Sequence, residues 1–312
     1  MNANANEILV SCVIAVFNGQ RFIQSAIKSL MQQTHTNLEI IVVDDGSTDE
    51  TPQILKQLGE TDQRLASYRI ENLRQAAARN FGIEQANGEF VACLDADDLA
   101  NDTRIEKQLS FLLANPQVAV VGGAIRLIDS EGLEIGTDYL PETHDSITKN
   151  LYSGNPGGGI IQSTAMFRKS RFEAAGGYRT DFVPAEDFDL WLRMSEVNQV
   201  ANLAEVVADY RVHLNSASSN LAALQQRNAQ RALRESCQRR GVAMGSRLSS
   251  GFGWVQPLDR VISVLLAHGK YEQAFRLLKN HAIANPTIPR NFVSVIRWGW
   301  LRARCLAFRT AD

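Results

Sequence analysis

Apolar residues fall into short continuous runs, separated by stretches in which they recur at every third or fourth position. The runs lie near residues 8–17, 38–43, 89–95 and 118–128, and each is bounded by polar or glycine-containing segments. Such runs are the pattern of strands buried on both faces. Helical spacing occupies 21–32, 50–58, 75–86 and 102–114. The alternation predicts right-handed βαβ units around a mostly parallel, Rossmann-like central sheet flanked by helices, an α/β fold. Asp49, Glu50 and Pro52 mark one helix start, since acidic residues and proline are favoured in a first turn.

A second half runs from Pro141 to His213. It contains a glycine-rich loop over 154–159, an apolar segment over 159–167, a helix opening at Glu186 and a strand from Val200 to Tyr210. Beyond residue 214 the character changes. Residues 222–240 form a long segment rich in Ala, Gln and Arg that reads as a helix, and 258–267 with 271–284 read as a helical hairpin turned at His268-Gly269-Lys270. The expected division is a sheet domain over 1–214 and a basic, mainly helical C-terminal region over 215–312.

Charge sharpens that division. The net formal charge is only −2, yet residues 214–312 hold 15 Lys or Arg against 4 Asp or Glu. Residues 1–213 hold 17 against 30. The four cysteines, Cys12, Cys93, Cys237 and Cys305, lack metal-ligand spacing and read as buried, reduced thiols. The polar stretch Met1–Asn6 shows no secretory pattern, and runs such as 261–267 fall short of the ~20 residues a spanning helix needs. A cytoplasmic protein, soluble or peripheral at the inner face of a membrane, is expected.

Carboxylates gather where strands end. Asp95-Ala96-Asp97-Asp98 follows the run 90–94, and Asp44-Asp45-Gly46-Ser47 follows 38–43. Ligands of open α/β sheets bind outside the carboxyl ends of strands, and hard divalent cations prefer carboxylate oxygens. A D-x-D at that place points to Mg²⁺ or Mn²⁺ bridging to a phosphate. The bland alternative is a polar loop in which Asp98 caps the following helix. A third pair, Glu186-Asp187, opens a helix whose Phe188, Trp191 and Leu192 share an apolar face.

Five motifs in order, V-S-C-V-I-A-V-F-N (10–18), V-V-D-D-G-S-T-D (42–49), A-A-A-R-N (76–80), C-L-D-A-D-D (93–98) and G-G-Y (176–178) with E-D-F-D-L-W-L-R (186–193), resemble the family 2 glycosyltransferases. The resemblance covers roughly residues 8–215. It implies a GT-A fold, an inverting mechanism, a nucleotide-sugar donor, UDP-linked by family frequency, and a divalent metal, Mg²⁺ or Mn²⁺. Carried over position by position, Asp45, with Asp44 beside it, holds the base or ribose. Asp95 contacts ribose or a metal-bound water, and Asp97 coordinates the metal. Asp187 is the general base, and Glu186 orients the acceptor or raises the Asp187 pKa by like-charge proximity. Arg79 reaches the base or phosphate or is a helix-surface arginine. Asn18 is a nucleotide contact or a turn residue, and His213 has a metal or phosphate role or a structural one.

Departures from the family pattern are Ala15 for Pro, Phe17 for Tyr, Arg74 where glycine is common and Gln162 where His is frequent. Arg74 bears on the donor pocket and Gln162 on the acceptor. The Q-x-x-R-W motif of processive synthases is absent, because Ser294 precedes Arg297-Trp298. One sugar per encounter, transferred to a glycan or lipid-linked acceptor in cell-surface polysaccharide synthesis, is the resulting expectation. A catalytically silent nucleotide-sugar binding module is the alternative; a hydrolase does not need the Asp44–Ser47 pattern, and a nucleotidyltransferase needs a basic phosphate loop not found here. Basic and aromatic residues interleaved at Arg297–Phe308 suggest an anionic membrane surface as partner, or a packing element. No nucleic-acid module accompanies the charge.

Overall fold

The computed structural model describes residues 7–153, 159–213 and 221–243. Strands β1 (Val10–Val16), β2 (Leu38–Asp44), β3 (Leu65–Arg69) and β4 (Phe90–Cys93) alternate with helices α1 (Ile23–Met31), α2 (Thr51–Thr61) and α3 (Gln75–Glu84). The spatial order is β3-β2-β1-β4, all parallel. The chain thus winds outward from β1 to β3 and returns to lay β4 on the other side of β1. That reversal is a topological switch point, where an open sheet leaves a crevice at its strand ends.

The sheet continues as a mixed one. Strand β5 (Leu99–Ala100) and helix α4 (Arg104–Ala114) lead to the long β6 (Val118–Ile128) and to β7 (Glu134–Asp138). Helix α5 (His144–Tyr152), β8 (Met166–Arg168), α6 (Lys169–Ala174), α7 (Glu186–Val197), β9 (Gln199–Arg211) and α8 (Ala222–Arg239) complete the described elements. β8 is antiparallel to both β4 and β6, β6 runs parallel to β9, and β5 and β7 pair antiparallel with β9 and β6. The α/β expectation, a mostly parallel sheet between helices, is met. The apolar segment 159–167 proves to be a single 3-10 turn at Gln162–Thr164 and the start of β8.

Alternation along the strands supplies two cores. Cys12 and Ile14 of β1 face the side covered by α1, α2 and α4, whereas Val13 faces the side covered by α3, α5 and α7. Helix α3 sits close to the sheet because Ala76, Ala78 and Gly82 present almost no side chain to it. A Cβ at Gly82 would lie 2.7 Å from Val13 Cγ1 and 3.1 Å from Val43 Cγ2. On α4, the fully buried Arg104 donates to the Cys93 and Ala165 carbonyls, and Gln108 donates to that of Thr164. These bonds satisfy backbone groups where β4 opens into its loop. Burial lowers the Arg104 pKa to about 10, which leaves the cation intact at neutral pH.

Helix α8, the first described element past residue 214, packs on α7. Its Ala229, Ala232, Leu233 and Cys237 belong to the same apolar cluster as Phe188, Trp191 and Leu192. Arg179 joins the two helices, binding the fully buried Asp189 of α7 and Glu235 of α8 at 2.8 Å. The expected hairpin over 258–284 and the loop over 154–158 lie outside the described residues. Among the described residues no helix is long and apolar enough to cross a membrane.

Seating α3 by small residues has a measurable consequence. Gly82→Val should destabilise the fold by ~1–3 kcal/mol through overpacking against β1 and β2, read as a lower urea midpoint. An unchanged midpoint would show that α3 can lift off the sheet freely.

Candidate active site

The crevice at the switch point gathers the ends of β1, β2 and β4. The left-handed Asn18 (φ 53°) turns the chain after β1. Its backbone N–H donates to Ser47 Oγ at 2.8 Å, and its Oδ1 accepts from Thr48 N–H at 2.8 Å. Asn18 therefore ties the first loop to the second. Asp44 is buried in that second loop, accepting from Ser47 N–H at 2.8 Å and from Arg69 at 2.6 Å. Both residues organise the rim through bonds within the protein.

Asp45 turns the other way. Its Oδ1 accepts from Leu73 N–H at 2.8 Å, and the Arg74 N–H also supports it. Burial raises its pKa against those bonds. The anchoring strains the backbone at the start of α3, where Arg74 adopts φ 72° and ψ 163°. That region of conformational space is essentially glycine's.

The β4 loop lies across the crevice. Asp95 Oδ1 accepts from Arg79 at 2.7 Å, and Asp97 Oδ2 lies 2.7 Å from His213 Nε2. Asp97 and His213 are 116 positions apart in sequence. β9 brings them together: Arg211 N–H donates to Asp98 Oδ1 at 2.7 Å, and Arg211 Nε donates to the Asp97 carbonyl at 2.8 Å. Asp98 thus binds β9 instead of capping α4. Its pKa is pushed well up by burial first, then by Asp97 and Asp95. Phe22 packs beneath this corner, its ring 5.3 Å from that of His213 and under the Arg211 guanidinium.

α7 supplies the third side. Glu186 and Asp187 form its first turn, where carboxylates are favoured by the helix dipole. Glu186 is 1% exposed and its Oε1 accepts from Arg79 at 2.6 Å and Gln75 at 2.8 Å, while Oε2 has no partner. Asp187 is half-buried, with Oδ1 accepting from Phe188 N–H at 2.7 Å. Burial, then the Glu186 charge, push its pKa up to about 7, and Arg79 opposes them. A carboxylate that gains and loses a proton near neutrality is matched to acid–base work.

Arg79 was expected either at a base or phosphate or on the helix surface. The structure commits its two terminal nitrogens to Glu186 and Asp95 and leaves the side chain 11% exposed. The residues that sequence reasoning missed are cations and their supports: Arg69, Gln75 and Arg211. Arg211 stands two positions before His213, but nothing in the sequence says that it grips the Asp97-Asp98 loop. Gln162, where the resemblance suggested a change of acceptor, pairs with the buried Tyr178 hydroxyl, its Nε2 donating at 2.8 Å.

The model of "Glycosyl transferase family 2" matches residues 11–176. The chain belongs to this family. The O-antigen biosynthesis glycosyltransferase WbnJ of Escherichia coli is 31% identical over 219 residues, covering 69% of this chain and 84% of that protein. Among solved structures, S. aureus TarS 1–349 in complex with UDP-GlcNAc superposes with a TM-score of 0.55 at 19% identity, over 86% of this chain and 83% of that one. The mannosyltransferase PcManGT from Pyrobaculum calidifontis, in complex with GDP-Man and Mn²⁺, gives 0.56 at 18% identity over 97% and 88%. The fold of this family 2 chain is GT-A.

Metal fit can be judged from the donor set. Among the described residues no group of three or more His, Cys, Asp or Glu side chains is placed to hold a metal ion. Asp97 and His213, bonded to each other at 2.7 Å, offer one carboxylate oxygen and one imidazole nitrogen two positions on from Asp95. Mg²⁺ in phosphate-transfer sites takes one or two carboxylates and completes its shell with substrate phosphates and water, and Mn²⁺ accepts the same oxygen donors. One carboxylate and one imidazole are the donors this chain would offer such a cation, the rest of its shell coming from elsewhere.

Two stability experiments follow. Arg74→Gly should relieve ~1–3 kcal/mol of backbone strain and raise the urea midpoint; a lower midpoint would mean that the arginine side chain makes a compensating interaction. For Asp187, a folded-state pKa near 7 lies above the unfolded value of ~3.9. Folding then favours the protonated acid, so stability is full below about pH 4, falls as pH rises to about 7 and is level beyond. Asp187→Asn should therefore raise the Tm at pH 8 and leave it unchanged at pH 4. A pH-independent difference would refute the raised pKa.

Proposed function

We propose that this chain is an inverting, metal-dependent glycosyltransferase that moves one sugar from a nucleotide sugar to a hydroxyl of a glycan or lipid-linked acceptor. The observation that carries the reading is the meeting of Asp97 and His213 beside Asp95, opposite a helix start whose Asp187 ionises near neutrality. A UDP-sugar is the donor class we favour, in keeping with the UDP-GlcNAc bound by TarS. The GDP-Man of PcManGT marks the principal alternative.

Asp45 and the rim tied by Asn18 and Asp44 hold the base and ribose, and Asp95 faces the ribose or a metal-bound water. Asp97 and His213 would hold Mg²⁺ or Mn²⁺, which when bound supplies Lewis-acid neutralisation of the departing diphosphate. Asp187 takes the acceptor hydroxyl proton as that oxygen bonds to the anomeric carbon and the bond from that carbon to the phosphate oxygen breaks on the opposite face. Glu186, buried and bonded on one oxygen, acts on Asp187 by its charge. A silent binding module would have no use for a carboxylate poised in this way.

The WbnJ relative supports a role in cell-surface polysaccharide synthesis. The basic stretch after residue 214 supports attachment to the anionic inner face of the membrane, where lipid-linked acceptors are presented. Binding to liposomes should then need anionic lipid and weaken with salt.

Released nucleoside diphosphate tests the chemistry. Asp187→Asn should slow transfer by ~10²- to 10⁴-fold with donor affinity kept, and Asp97→Asn should abolish the activity that added Mn²⁺ supports while sparing the Tm. Transfer at full rate in excess chelator, or by Asp187→Asn, would sink the reading.

A further inference from the structure

Arg79 bonds to both sides of the crevice. It rises from α3, which is fixed to the sheet by Gly82 and the small residues before it. Nη2 donates to Asp95 Oδ1 at 2.7 Å, at the end of β4, and Nη1 donates to Glu186 Oε1 at 2.6 Å, at the head of α7. Gln75, one turn earlier on α3, donates to the same Glu186 oxygen at 2.8 Å. The Tyr178 ring lies 5.8 Å from the guanidinium carbon, and the main chain of Tyr178 is itself held to α3 by Asn80 in both directions.

We infer that Arg79 is a positioning residue: it fixes the helix that carries Asp187 against the donor-side carboxylate Asp95, acting through Glu186 and Asp95 and not by touching the donor. Three observations carry this. Both terminal nitrogens already have carboxylate partners in a buried fork, the geometry for which arginine is suited and lysine is not. Nothing else among the described residues bonds Glu186 to the sheet side of the crevice except Gln75 on the same helix. Glu186 and Asp187 are adjacent carboxyl groups, and the Arg79 cation between Glu186 and Asp95 opposes the mutual rise in pKa that such neighbours impose.

The inference extends to the charge on the base. The groups that face Asp187 are Glu186 on its own helix, Arg79 on α3, Asp95 after β4 and Tyr210 on β9. Of these Arg79 is the only cation, and it favours the ionised carboxylate. Removing it leaves Glu186 and Asp95 to repel a second negative charge without opposition. Removing the Glu186 charge should do the reverse.

This inference rests on the base assignment above only for its consequence in catalysis, so its test needs no turnover. The Tm gain from Asp187→Asn is measured from pH 4 to 9 in wild-type, Arg79→Gln and Glu186→Gln backgrounds; its midpoint reports the ionisation of Asp187. The midpoint should move up by about one pH unit or more in Arg79→Gln and down in Glu186→Gln. In parallel, Arg79→Lys, which keeps the charge but cannot span both carboxylates, should bind UDP within about threefold of wild type while turnover of the UDP-sugar falls by about tenfold or more. If Arg79→Gln does not fold, Arg79→Lys and Glu186→Gln carry the test. An unmoved midpoint overturns the inference, as does a UDP affinity lowered about tenfold or more in Arg79→Lys with turnover at saturation unchanged, which would make Arg79 a donor contact. An active Asp187→Asn would remove the base assignment and leave the midpoint shifts to be judged on their own.

Discussion

Crowded negative charge is the constraint on which this molecule depends. Asp44, Asp45, Asp95, Asp97, Asp98, Glu186 and Asp187 meet at one end of a sheet whose other surroundings are apolar. Unopposed, such a cluster would discharge itself by protonation, and Asp98 and Asp187 show that tendency in their raised pKa values. Three arginines hold the cluster in place. Arg69 pairs with Asp44 on the β2 side, Arg79 spans Asp95 and Glu186, and Arg211 binds the β4 loop, its main-chain N–H on the Asp98 carboxylate and its guanidinium on the Asp97 carbonyl. Each comes from a different element, so these bonds also lock strands and helices together.

The βαβ half was legible because its strands are buried on both faces and write themselves as continuous apolar runs. β1, β2, β4 and β6 and the helices between them stand where the pattern put them. The unmarked elements are those whose burial is partial or whose length is short. β3 (Leu-Ala-Ser-Tyr-Arg) is an edge strand with only Leu65 buried, and β5 is two residues long. Helix α5 buries just Ile147 and Leu151 and relies on the Thr143–Ser146 capping box, a local signal that periodicity does not weigh.

The site was legible as residue types more than as a network. Resemblance singled out Asp97, Asp187 and His213, but it is the antiparallel β5–β9 pairing, Leu99 opposite Asp209, that brings His213 to Asp97. Arg79 illustrates the limit: its sequence neighbourhood identifies a helix and a charge, whereas its partners come from residues 16 and 107 positions away. The basic C-terminal region was expected as an appendage, yet α8 shares a core with the helix that carries Asp187. Composition marked α8 as a helix and could not show which surface received it.

The seating of α3 also divides the crevice into parts with different tolerance for substitution. Gly82, Ala76 and Ala78 admit almost no side chain larger than their own, whereas Leu73 and Arg74, just before the same helix begins, are exposed. Side chains at the rim can therefore be exchanged while the helix, and the arginine it carries, stay where they are. Glycine at position 74 would relax the backbone that arginine holds at positive φ. Room for substitution in this chain is concentrated at the lip of the crevice, next to positions that packing leaves almost none.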